Sequence, residues 1–171
     1  MSEQLRSIFL GLSGIYIIAH IAIFLTVTQR ATEIDKDKVS KLILLFGIGI
    51  FFQFLHSLEE YFTGFYIHWP QFLDLTPWSP HFFASFNLIW IAVWSLSIFG
   101  IRHNYRSAYF ALWFFVVGMI LNLIAHPLLA LAVQEYFPGL ITSPLVGITG
   151  LLLLRMLNDT KINRPQDLRR M

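Results

Sequence analysis

The chain has 171 residues, of which 56% are hydrophobic and only 13% are charged, and its formal net charge is +2. This apolar share exceeds the roughly 45–50% of soluble domains and is typical of an integral membrane protein. Because the chain has no cysteine, disulfides, thiolate ligands and a cysteine nucleophile are excluded, and any metal must be bound by nitrogen and oxygen. The small positive charge does not indicate a nucleic-acid partner.

Apolar stretches of about 20 residues predict the membrane crossings. We expect an all-α, polytopic membrane helix bundle in which residues 1–171 form a single domain with five transmembrane helices. The aromatic and proline-rich segment 61–81 is expected to lie along the membrane interface, as an inert belt or as a lid over a site beneath it. A kink is expected at Pro127. The five helices are predicted at about residues 7–29, 41–60, 82–101, 108–134 and 140–157.

The lysines and arginines lie mainly on one side of this five-helix arrangement. Of the 12 in the chain, only Arg6 falls on the opposite side. The positive-inside rule therefore predicts an N-terminus outside and a cytoplasmic C-terminus.

Polar residues of three predicted helices lie at a similar depth. At about 1.5 Å per residue, His56 lies about 22 Å above the cytoplasmic start of the second helix. Asn122 and His126 lie about 21 and 27 Å above that of the fourth helix. Asn87 enters the same layer from the outer face, about 9 Å down the third helix. We therefore expect a polar site in the outer part of the membrane.

The second helix ends with a stripe of polar side chains. A rotation of about 100° per residue places Glu59 about 60° to one side of His56 and Glu60 about 40° to the other, with Gln53 one turn below. An ionised carboxylate within lipid is costly, so such residues indicate a functional site by default.

The motif His56-x-x-Glu59-Glu60, the second histidine His126 and the segment 136–140 (YFPGL) occur in this order. Together they resemble the HXXEE family of small bacterial membrane proteins. The resemblance implies a shared fold and site and a bacterial cytoplasmic membrane location, but it names no reaction.

The favoured interpretation is a metal-dependent enzyme that acts on a lipid or another small lipophilic substrate near the outer face. Two imidazoles with one or two carboxylates are the ligand type of catalytic zinc and of non-haem iron. Zinc is favoured, while iron and manganese stay open, and there is no nucleotide or haem signature. The predicted metal ligands are His56, Glu59, Glu60 and His126, the catalytic carboxylates are Glu59 and Glu60, and the substrate-binding or supporting residues are Asn87, Asn122, Gln53 and Tyr136.

Alternatives use the same residues without a metal. His56, Glu59 and Glu60 could form an acid–base isomerase site. They could also recognise a lipid or another ligand without reacting, or pair as polar contacts between helices. A homo-oligomer also stays open, as does the participation of His20 or His81.

Overall fold

The computed structural model describes residues 2–28 and 36–162, with side chains through Asn158. All regular secondary structure in these ranges is helical, which confirms the all-α prediction for them. The seven helices are α1 (Glu3–Gly11), α2 (Ser13–Thr28), α3 (Lys36–Thr63), α4 (Phe65–Phe72), α5 (Pro80–Arg102), α6 (Arg106–Val133) and α7 (Ser143–Ile162).

Three helices, α3, α5 and α6, are long and apolar enough to cross a membrane. A fourth crossing is formed if α1 and α2, which are bent by 42° relative to each other, span it together. The apolar part of α7, Ser143–Asn158, is shorter than the other spans. Three to four crossings are therefore supported in the described ranges. The fifth crossing and the orientation stay predictions, and the basic residues Arg30, Arg164, Arg169 and Arg170 lie outside the described residues.

The first predicted helix is two helices, and the break at Leu12 has a packing reason. The Trp78 ring lies directly against Gly11, in the space that a side chain there would occupy. The Trp69 indole N–H also donates a hydrogen bond of 2.9 Å to the Gly11 carbonyl oxygen. These contacts hold α1 beside α4 and the segment after it, whereas α2 packs against α6.

The segment 61–81 contains ordered helical structure. Helix α3 continues to Thr63, beyond the predicted end at residue 60. Gly64 then adopts φ +82°, a left-handed conformation that glycine tolerates, and α4 begins at Phe65. Further along the chain, α6 remains helical through Pro127 to Val133.

Four helices enclose the core. Helix α3 contacts α5 and α7, and α6 contacts the same two helices, so α3 and α6 occupy opposite corners of a four-helix ring. The Phe46 and Phe115 rings meet edge to face between these corners, with centroids 5.2 Å apart, and Leu112 is fully buried beside them. The ring therefore brings residues of α3 and α6 towards a shared interior.

Candidate metal centre

A buried group of three side chains joins α3 to α6. His56 and Glu60 lie one helical turn apart on α3, a spacing that puts two side chains on the same face. His126 approaches from α6. The Glu60 Oε1 atom lies 3.5 Å from Nε2 of His56 and 3.6 Å from Nε2 of His126. All three residues are buried, and one ligand atom from each lies within 4.8 Å of the others.

The two distances from the Glu60 oxygen are close to those between neighbouring ligands of a small divalent cation. Zinc bonds of 2.0–2.2 Å in tetrahedral geometry place neighbouring ligand atoms roughly 3.3–3.5 Å apart. The two observed nitrogen–oxygen distances, 3.5 and 3.6 Å, are close to this value. The imidazole rings stand edge to face at 86°, with centroids 4.8 Å apart, and their Nε2 atoms lie 3.5 and 3.6 Å from the same Glu60 oxygen.

The second nitrogen of each imidazole is held by a residue of the loop that follows α6. Nδ1 of His126 lies 2.7 Å from the carbonyl oxygen of Pro138, which can only accept a hydrogen bond. His126 must therefore carry a proton on Nδ1, so in the neutral imidazole it is the Nε2 lone pair that is available to bind a metal. This is the supporting contact that metal-binding histidines usually have.

The Thr142 hydroxyl holds Nδ1 of His56, as the Pro138 carbonyl holds Nδ1 of His126. Nδ1 of His56 lies 2.7 Å from Thr142 Oγ1, and the Thr142 hydroxyl donates a short hydrogen bond to Glu59 Oε2. Because its proton is directed to Glu59, the Thr142 oxygen accepts from His56 Nδ1–H. The chain Glu59–Thr142–His56 thus directs the second Nε2 lone pair towards Glu60.

Glu59 faces the loop and lies outside the group of three. Its Oε1 accepts from the Tyr136 hydroxyl at 2.5 Å and from the Ile141 N–H at 2.9 Å. Its Oε2 accepts from the Thr142 N–H at 2.8 Å as well as from the Thr142 hydroxyl. Burial is the main cause that raises the pKa of Tyr136, and the bond to Glu59 raises that pKa further. Through these hydrogen bonds, the Glu59 carboxylate of α3 holds the loop after α6 in place.

Gly139 lets this loop approach both imidazoles. Its φ is +90°, in the left-handed region. A Cβ atom at this position would lie 2.5 Å from Cε1 of His126 and 2.8 Å from Cε1 of His56. The proline and glycine of the YFPG segment thus have separate uses, since Pro138 supplies a carbonyl acceptor and Gly139 supplies space.

The predicted supporting residues divide into two groups. Asn122 lies at the metal centre, with Nδ2 3.4 Å from Nε2 of His56. Asn87 instead accepts a hydrogen bond of 3.0 Å from the Ser57 hydroxyl, and Gln53 Nε2 donates to the same hydroxyl at 3.3 Å. Gln53 and Asn87 therefore belong to a separate polar chain between α3 and α5.

Two residues at these contacts carry weak sequence signals. Ser57 was not predicted, because a lone serine in a membrane helix has no distinctive pattern, although it lies one turn from Gln53. Thr142 precedes α7, where helix capping is the expected role of threonine. The Y-x-P-G segment was the available signal that this loop reaches the site.

His20 and His81 are exposed and outside the group of three.

The described residues form only helices, three to four of which are long and apolar enough to cross a membrane, and they hold a buried His/Glu/His group; these features define an integral membrane protein with a candidate metal site. The chain belongs to a family described as proteins of unknown function with an HXXEE motif, whose model matches residues 47–153. The resemblance drawn from the motif is therefore confirmed. Neither the curated proteins nor the solved structures contain a match to the chain.

Proposed function

We propose that this protein is a membrane-embedded, metal-dependent enzyme acting on a lipid or another lipophilic substrate. The observation that carries the proposal is that His56 Nε2 and His126 Nε2 lie 3.5 and 3.6 Å from the same Glu60 oxygen, within a buried group of three possible ligands. Both imidazoles also have their Nδ1 atoms held by the loop. A simple polar contact between helices would not require both imidazoles to turn Nε2 towards the same carboxylate oxygen.

A catalytic centre is favoured over a structural one by the number of ligands. Structural zinc sites are closed by four protein ligands, whereas catalytic sites use three and leave a position for water or substrate. Two histidines with one carboxylate suit catalytic zinc and also non-haem iron, so hydrolysis and oxidation are both compatible. Zinc is our first choice, followed by iron and manganese. The bound cation would supply Lewis-acid polarisation of a substrate oxygen.

The side chains around the three ligands have distinct proposed roles. Glu59 is a positioning residue, because the hydrogen bonds described for its carboxylate are all to the loop that orients the imidazoles. Asn122 is the amide nearest the centre and can orient a water molecule or a substrate oxygen. Glu60 binds the cation and is the carboxylate closest to the reacting atoms.

A lipophilic substrate follows from the surroundings of the centre. Phe65 of α4 lies over it, with its ring 5.9 Å from that of His126, and Phe137 lies 6.0 Å from Phe65. This aromatic cover supports the lid interpretation of the segment 61–81. With the N-terminus outside, the site would face the outer half of a bacterial cytoplasmic membrane.

The metal content of the purified protein tests the proposal. Detergent-solubilised wild type, prepared without chelator, should contain about one equivalent of zinc, iron or manganese. His126→Ala and Glu60→Gln should lose it. His68→Ala and His81→Ala are matched controls on exposed histidines of the outer segment and should retain it.

Two results would redirect the proposal. A metal-free wild type that also fails to bind added Zn²⁺, Fe²⁺ or Mn²⁺ would favour the acid–base or ligand-binding alternative. Equal metal loss in the His68→Ala control would place the ion elsewhere.

For the activity itself, metal-loaded wild type and Glu60→Gln should be compared in vesicles of extracted bacterial lipid, with mass spectrometry of the lipids. A product that requires wild-type protein and metal supports an enzyme.

A further inference from the structure

The three candidate ligands are shielded from the surroundings of the bundle. His56 is fully buried, His126 is 3% exposed and Glu60 is 7% exposed. The Phe65 ring of α4 lies 5.9 Å from the His126 ring, and the Phe137 ring packs edge to face against Phe65. A cation or a substrate therefore reaches the centre only when part of this shield moves.

The part of the shield that contains α4 is a separate unit, residues 65–78, which we call the lid segment. Pro70 within α4 has no N–H, so the Tyr66 carbonyl oxygen lacks its usual helical donor four residues further on. The Trp78 N–H donates a hydrogen bond of 2.8 Å to that oxygen instead. This hydrogen bond folds residues 73–78 back onto α4, so the lid segment is held together by its own backbone.

Both ends of the lid segment are joined to the long helices by non-helical residues. Gly64, with φ +82°, separates it from α3. At the other end, residues 75–79 have no regular secondary structure before α5 begins at Pro80. Hinges are a few such residues that take up a change of backbone angles. The lid segment can therefore rotate as a unit while α3 and α5 keep their positions.

Helix α1 holds the lid segment in place. The Ser7 hydroxyl donates to the Thr76 carbonyl oxygen at 2.5 Å, and the Trp69 indole N–H donates to the Gly11 carbonyl oxygen at 2.9 Å. The Trp78 ring packs directly against Gly11. Its own indole N–H is buried without a hydrogen-bond partner in the described part of the chain. Because an unsatisfied buried donor is costly, movement of Trp78 away from α1 relieves a cost of the closed state.

We infer that the lid segment opens about Gly64 to admit ligands to the metal centre, and that α1 keeps it closed through Ser7 and Gly11. Phe65 moves with the lid segment, so opening removes the ring that covers His126. As the regulation of access to a metal site, the inference rests on the proposed function. The opening itself requires no metal.

A single-cysteine reporter tests the opening on the full-length protein in lipid nanodiscs. Because the chain has no cysteine, His126→Cys introduces the only thiol, and N-ethylmaleimide labels it in proportion to the open population. Gly11→Ala should raise the labelling rate roughly tenfold, because the new Cβ atom overlaps the Trp78 ring and overpacking destabilises the closed lid. Gly14→Ala is the matched control and should not change the rate, since nothing lies within 4 Å of a Cβ atom there.

Two further cysteine variants keep this test decisive. His56→Cys is a second buried reporter, to be used if the first variant does not fold. Thr149→Cys is a buried reporter beside Gly49, two helical turns along α3 from the centre, and it should label equally slowly in every background. The inference is overturned if Gly11→Ala and Gly14→Ala label alike. It is also overturned if Gly11→Ala accelerates the labelling of Thr149→Cys to the same extent, which would indicate loosening of the whole bundle.

Zinc exchange on the cysteine-free protein relates the lid segment to the metal centre. Gly11→Ala should accelerate zinc uptake and EDTA-driven zinc release by the same factor and leave Kd unchanged, because the closed form still predominates and its ligands are unaltered. If only one of the two rates changes, α1 acts on the ligands and the inference is overturned. Faster labelling in a protein that binds no zinc supports the lid segment and contradicts the metal-dependent function. Zinc binding with labelling unaffected by Gly11→Ala overturns only the lid segment.

Discussion

Replacing Gly139 with alanine tests whether the loop after α6 sets the positions of both candidate ligands. The new Cβ atom would lie 2.5 Å from Cε1 and 2.7 Å from Nδ1 of His126, and 2.8 Å from Cε1 of His56. Non-bonded carbon atoms prefer separations of about 3.5–4.0 Å, so the rings or the loop must move by about 0.7–1 Å. Metal–ligand distances tolerate only about 0.2 Å.

Two separate costs are expected in the Gly139→Ala protein. An L-residue in the left-handed region costs about 1–2 kcal/mol of folding free energy. Displacement of the imidazoles should in addition lower metal affinity by at least roughly 100-fold, since loss of a supporting contact alone costs 10–100-fold. Gly64→Ala separates the two effects, because Gly64 also has positive φ, at +82°, but its Cβ would meet its nearest neighbour at an ordinary 3.5 Å.

The assay is zinc binding by competition with a fluorescent chelator, combined with circular dichroism to measure the folded fraction. Gly64→Ala should be less stable than wild type and bind zinc normally, whereas Gly139→Ala should be folded at low temperature and bind zinc weakly. Wild-type zinc affinity in folded Gly139→Ala would refute the view that the loop positions the imidazoles.

Three further predictions concern the same centre. Thr142→Val removes the oxygen that accepts from His56, so zinc affinity should fall about 10–100-fold. The Thr149 hydroxyl donates to a carbonyl within α7, so Thr149→Val should leave the zinc affinity in the competition assay unchanged. Equal losses of zinc affinity in the two variants would contradict the role assigned to Thr142. EDTA should lower the melting temperature of wild type but not of a His56→Ala/His126→Ala double variant, because a metal at 100 times its Kd adds about 2.7 kcal/mol of apparent stability. An identical EDTA response would place the metal elsewhere. The raised pKa of Tyr136 means that its neutral form stabilises the fold below about pH 10 and that this contribution is lost as pH rises through the raised pKa. Tyr136→Phe should therefore unfold more easily than wild type near pH 8, and thermal unfolding should show the gap narrowing above pH 10, whereas a gap independent of pH would contradict the ionisation argument.

Much of the local structure was predictable because membrane helices follow directly from apolar length. The positions of α3, α5 and α6 agree with the predicted second, third and fourth helices to within a few residues. The pairing of His56 with Glu60 also follows from sequence, since residues four apart share a helix face. The break at Leu12 has no such signal, because it depends on tryptophans more than 55 residues away.

The sequence by itself determined that a histidine and two glutamates would stand together at the end of an apolar helix. Only the tertiary structure decided which glutamate faces His126 and which one binds the loop after α6. Side chains at successive helical positions diverge by about 100°, so the bundle turns Glu60 towards His126 and leaves Glu59 to the loop. Helical geometry is local and can be read from residue spacing, whereas the meeting of α3, α6 and the loop is set by packing between segments distant in the chain.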